Sequence, residues 1–85
     1  MKTIWKFPFS SSVDMPAGAE ILTAQVQHGQ IMLWALVVTK DVVKQDRKFV
    51  IYGTGQRVNS SNLKYISTIQ LEEGSFIGHI FERLS

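Results

Sequence analysis

Residues Glu20 to Thr39 read EILTAQVQHGQIMLWALVVT. Up to His28 the side chains alternate, with Ile21, Thr23, Gln25 and Gln27 on one side and Leu22, Ala24, Val26 and His28 on the other. A period of two that ends at a glycine predicts a half-buried strand running into a turn at Gly29, with His28 exposed at the hairpin tip. Beyond Gln30 the character changes, because every residue from Ile31 to Val38 is apolar. A run with no wet face predicts that Gln30 to Thr39 is a central strand, covered on both sides.

Working outward, Lys2 to Phe7 alternates Lys2, Ile4 and Lys6 with Thr3, Trp5 and Phe7, and Pro8 suits a strand end because it cannot donate to a ladder. Val13 to Gly18 reads as an irregular connection. Lys40 to Asp46 reads as a polar loop, with room for one helical turn over Asp41, Val42, Val43 and Lys44. Arg47 to Gly53 is the next strand, followed by a loop from Thr54 to Asn62 rich in serine and asparagine. The last two strands, Leu63 to Leu71 and Ser75 to Arg83, are joined through Glu72-Glu73-Gly74, where glycine supplies the positive φ of a tight hairpin. The expected fold is all-β: a single domain over residues 1–85, a six-stranded, mainly antiparallel meander closed as a small barrel or sandwich.

Size and composition agree with a folded domain. A chain of 85 residues buries only about 60% of the surface its unfolded form exposes, which leaves a thin stability margin. Its 45% hydrophobic and 19% charged content lies far from the profile of disorder. With no cysteine, neither a disulfide framework nor a thiolate zinc site can supplement the core, so self-association becomes an expected source of stability. No signal-peptide pattern opens the sequence, and no apolar run reaches the roughly 18 residues of a membrane span, so an intracellular protein without a membrane partner is expected. The net charge of +2 is too small, and the basic residues too scattered, for a specific nucleic-acid binder.

The stretch Gly53-Thr54-Gly55-Gln56-Arg57 invites a nucleotide-binding interpretation but lacks the third glycine of a dinucleotide fingerprint and the Gly-Lys-Ser/Thr of a phosphate loop. Two interpretations stay open: a glycine-stabilised bend, or a bend whose backbone approaches a ligand while Thr54, Gln56 and Arg57 offer hydrogen bonds and a phosphate fork. His79 alternates onto one face with Ile77, Phe81 and Arg83, away from Gly78, Ile80 and Glu82. A half-buried histidine among hydrophobes is more often structural than catalytic. Two separated histidines without cysteine make no metal site, and no Ser, His and acid share a catalytic motif. Neither an enzyme, a catalytic residue nor a cofactor is expected.

The segments MKTIWKFPF, MPAGAEILTAQVQHGQIMLWALV, RKFVIYGTGQ and YISTIQLEEGSFIGHIFE together resemble a family of short proteins of unassigned function found in tailed-phage and prophage genomes. The Leu33-Trp34-Ala35-Leu36 strand, the Gly53-Thr54-Gly55 bend and the His79-to-Glu82 end carry the resemblance, which covers nearly the whole chain. Two places depart from the family pattern. The TKDVVKQD loop is unusual, and Gly78 stands where a bulky residue commonly precedes the histidine, which would open space beside His79.

The resemblance implies a setting, the cytoplasm of an infected bacterial host, rather than an activity. There a small β domain is expected to act as a counter-defence sponge that sequesters a nucleotide-type immune signal, or alternatively as an inhibitor that binds a host protein through a sheet face or edge. A nucleotide needs an aromatic face for its base and forked donors for its phosphates. Trp34 and Tyr52, with Trp5, are candidates for the first, and Arg57, Arg83 and Lys6 for the second. The candidate ligand-binding set is therefore Trp34, Tyr52, Thr54, Gln56, Arg57, His79 and Arg83, in a protein expected to form homo-oligomers around a small anionic ligand.

Overall fold

The structure is a computed structural model that describes residues 1–40, 43–59 and 61–84. Seven strands run in chain order: β1 (Lys2–Pro8), β2 (Ser12–Pro16), β3 (Glu20–Gln27), β4 (Gln30–Val38), β5 (Lys44–Gly53), β6 (Leu63–Leu71) and β7 (Phe76–Arg83). They form two antiparallel sheets, one of order β1-β4-β3 and one of order β2-β5-β7-β6. The domain is all-β, as its two-residue periodicity indicates, and it is a sandwich rather than a closed barrel.

Alternation explains which side of each strand faces inward. Leu33, Ala35 and Val37 of β4 meet Val13 and Met15 of β2, Phe49 of β5, Ile69 of β6 and Ile80 of β7 in one core. Met15, Leu33, Ala35 and Ile80 are fully buried. β4 is central in its sheet, with β1 and β3 on either side. Its turn to β3 has His28 at φ 53° and Gly29 at φ 78°, the pair of positive values that matches the twist of a two-residue hairpin. β6 and β7 pair as a hairpin around Glu72–Gly74, a turn whose residues have φ of 52°, 57° and 90°.

Two expectations need correction, for one reason. Ser12–Pro16 is a strand, not an irregular connection, and β5 begins at Lys44 rather than Arg47. The two segments pair with each other, from Ser12 opposite Lys48 to Pro16 opposite Lys44. Each is too short or too polar to declare itself, and the ladder between them satisfies backbone groups that a loop would leave to water. Of the helical turn considered over residues 41–44, residues 41 and 42 lie outside the described residues and Lys44 is strand. The connectivity also departs from a meander, since the chain crosses between sheets after β1, β2 and β4, and β7 inserts between β5 and β6.

One pair of sheet edges is mutually covered. β3 is bulged at Leu22 and β6 at Ile66, and these strands approach each other across the sandwich. There the Ala24 N–H, left without a strand partner on its outer side, donates to Ser67 Oγ at 2.9 Å. Ser67 Oγ also lies 3.0 Å from Thr23 Oγ1. Covering an edge in this way removes a template for unwanted pairing.

Candidate functional site

The outer face of the four-stranded sheet carries the densest group of aromatic and polar side chains. Register places Tyr52 opposite His79 and His79 opposite Thr68, while Val50 stands opposite Phe81 and Phe81 opposite Tyr65. Gly78, Ile80 and Glu82 point the other way and are buried, so the two sets separated by strand alternation do face opposite sides, and it is the set of His79 and Phe81 that faces outward. Phe81 packs edge-on between two tyrosines, at 6.0 Å from Tyr52 and 5.6 Å from Tyr65 between ring centroids. Such edge-to-face contacts hold the rings at defined angles.

Across this platform runs a line of hydrogen bonds. Thr54 Oγ1 lies 2.7 Å from His79 Nε2, His79 Nδ1 lies 2.9 Å from Thr68 Oγ1, and Thr68 Oγ1 lies 2.7 Å from the Tyr65 hydroxyl. Both imidazole nitrogens therefore have hydroxyl partners, and rotating hydroxyls can match either tautomer. The group that orients the ring is a threonine, not a carboxylate, so the arrangement differs from a nucleophile–histidine–acid triad. What it does provide is a fixed row of polar atoms beside aromatic rings. Among the described residues, no group of three or more His, Cys, Asp or Glu side chains converges as a metal site.

The bend after β5 supplies Thr54. It is held from within, because Gln56 N donates to Gly53 O at 3.0 Å and Gly53 N donates to Gln56 Oε1 at 2.8 Å. Gln56 thus spends its side-chain carbonyl on the turn. Arg57 follows, exposed, beyond the bend. An open depression of about 360 Å³ borders Gly53 and Thr54, with Gly74, Ser75, Phe76 and Ile77 on its other side.

Of the residues singled out from sequence, Tyr52, Thr54 and His79 come together. Arg83 shares their sheet face, four residues further along β7, which is about 13 Å at the usual strand rise. Trp34 does not join them: Leu33 and Ala35 enter the core, which turns Trp34 onto the far face of the three-stranded sheet, opposite Lys6 and Thr23. Trp5 lies on β1, with Lys44 Nζ 6.0 Å from its ring centroid. The space that Gly78 was expected to open beside His79 is instead occupied on the inner side, where Ile51 packs against the glycine.

Tyr65, Thr68 and Phe81 were not legible as site residues. Tyr65 and Thr68 are three apart, which in a regular strand puts them on opposite faces. The bulge at Ile66 shifts the phase and brings both outward.

Among the described residues, no helix is long and apolar enough to cross a membrane. No curated protein matches the chain significantly, and no solved structure does. The family described as a domain of unknown function, DUF7352, matches residues 1–85, and the chain belongs to that family.

Proposed function

We propose that this chain is a non-enzymatic binding protein that holds a nucleotide-type ligand on the outer face of its four-stranded sheet. The observation that carries this is the platform of Tyr52, Tyr65 and Phe81, edged by the Thr54–His79–Thr68 row and ending at Arg83. A base stacks on an aromatic face, hydroxyls and imidazole meet a ribose or base edge, and a guanidinium fork suits a phosphate. Within the phage setting that the sequence resemblance implies, the ligand is a nucleotide signal of host immunity and the protein is a cytoplasmic sponge for it. Because the face is open, a second copy laid over it would complete the enclosure that tight sequestration requires.

Mixing the purified protein with extract from phage-challenged bacteria, washing, and heating should release a nucleotide detectable by mass spectrometry. Phe81→Ala should lose it. Release of no nucleotide from a protein that remains folded would overturn the assignment.

A second function, inhibition of a host protein, is favoured by the shape of the other sheet. Its outer face presents Ile4, 55% exposed, with Leu36 and Val38 alongside and Lys2 at the rim. Cross-linking in host lysate that depends on Ile4 and not on Phe81 would select this function over the first.

A further inference from the structure

At one end of the four-stranded sheet lies an open groove of about 450 Å³, whose charged lining is Asp46, Arg47, Lys48, Lys64, Glu82 and Arg83. Its basic side chains exceed its acidic ones by two, a surplus equal to the formal net charge of +2 of the entire chain. The groove therefore carries a local positive surplus, drawn from residues far apart in sequence.

The charges in the groove are of two kinds. Arg47 and Glu82 neutralise each other at its inner wall, and Lys48 pairs with Asp46 at 2.6 Å. The side chains of Lys64 and Arg83, both exposed, make no hydrogen bond or ion pair among the described residues. The cations come from adjacent strands: Lys48 on β5 stands opposite Arg83 on β7 on one face of the sheet, whereas Lys64 on β6 stands opposite Glu82, on the other face, and meets them only at the groove. Lys48 and Arg83, one strand spacing of about 4.8 Å apart, flank the groove from one face and Lys64 flanks it from the other, so linked phosphates lying over the sheet end would pass between them.

We propose that this groove is a pyrophosphate-binding site, in which Arg83 and Lys64 grip the phosphates of a phosphorylated small molecule and Lys48 closes the third side. It rests on the assignment of a nucleotide to the outer face, because Arg83 lies where the aromatic platform ends and the groove begins. A nucleoside diphosphate would then stack its base toward Phe81 and send its phosphates over the sheet end. Glu82, held by Arg47, is kept from quenching the two unpaired cations.

The test uses inorganic pyrophosphate, titrated into the whole protein at low ionic strength and followed by amide and Arg Nε–H chemical shifts. Saturable shifts at Lys48, Lys64 and Arg83, weakened at least about tenfold in a Lys64→Gln, Arg83→Gln variant and unchanged in Lys40→Gln, support the site. Both substituted residues are exposed, so the variant should keep the parent's melting temperature. Equal binding by parent and double variant, or binding to phosphatidylglycerol vesicles without binding to free pyrophosphate, would overturn it. Adenosine diphosphate separates the two assignments. Tighter binding than pyrophosphate, with shifts at Tyr65 and Phe81, supports both. Binding equal to that of pyrophosphate overturns the platform and leaves the groove standing.

Discussion

Arg47 and Glu82 form a two-pronged ion pair inside the sandwich, with side chains only 14% and 7% exposed. Arg47 Nη2 donates to Glu82 Oε1 at 3.0 Å, and Nε donates to the other carboxylate oxygen. The third prong, Nη1, donates to the Ala19 carbonyl at 2.8 Å, which ties β5 and β7 to the segment leading into β3. Removing one member strands a buried charge, whereas replacing both removes the desolvation cost along with the attraction. Arg47→Ala is expected to cost about 3–5 kcal/mol in urea unfolding. The double change Arg47→Met, Glu82→Leu should recover most of that loss, and failure to recover it would mean that the pair does more than balance charge.

Among the six glycines, Gly78 leaves the least room for a side chain. A Cβ at that position would lie 2.5 Å from Ile51 Cδ1, 2.9 Å from Ile51 Cγ1 and 3.0 Å from Phe76 Cε2. Gly78→Ala should destabilise the protein by about 1–3 kcal/mol, the usual cost of overpacking. Ile51→Val removes the nearest methyl, so in a double-mutant cycle the two changes should be less harmful together than their sum. Strict additivity would show that the glycine serves its backbone alone.

Ser67 closes the sheet edge at β3. Its Oγ is the acceptor for the Ala24 N–H, and the residue is 8% exposed. Ser67→Ala leaves that buried donor unsatisfied, at an expected cost of about 1–3 kcal/mol. The sharper readout is hydrogen exchange, in which the Ala24 amide should lose protection ahead of its neighbours. Unchanged protection would place another acceptor there.

Asp46 titrates below the ordinary carboxylate range, because Lys48 and then Ser12 donate hydrogen bonds to its charged form. A depressed folded value means that the carboxylate favours the folded state above the unfolded titration range, and that this contribution is lost as pH falls through the folded value. The group is exposed, so solvent and salt screen the effect. A carbon-13 titration of the Asp46 carboxyl should show its midpoint move upward in Lys48→Gln. No movement would show that Ser12 alone sets it.

How much was legible follows from the range of each signal. The alternation in Glu20 to Gln27 announces a strand, yet it misplaces the inward set, because Ile21 and Ala24 both pack on the core across the bulge at Leu22. The final strand carries no bulge, so the common face of His79, Phe81 and Arg83 could be read in advance. Thr54 and His79 are 25 positions apart, and their contact arises only because β5 and β7 are neighbours. The order β5-β7-β6 likewise brings Lys48, Arg83 and Lys64 to one groove.

By itself the sequence determined the class of the fold, the central place of β4, the two hairpins and which residues of the last strand share a face. Each depends on period or turn chemistry within about ten residues, where the backbone's own geometry sets the outcome. Tertiary structure alone decided that β2 is a strand, that β7 lies between β5 and β6, and that bulges carry Tyr65 and Thr68 to one face. Those features rest on pairing between distant segments, whose energy depends on which edge is free and which side chain fits the core, and no local pattern encodes that choice.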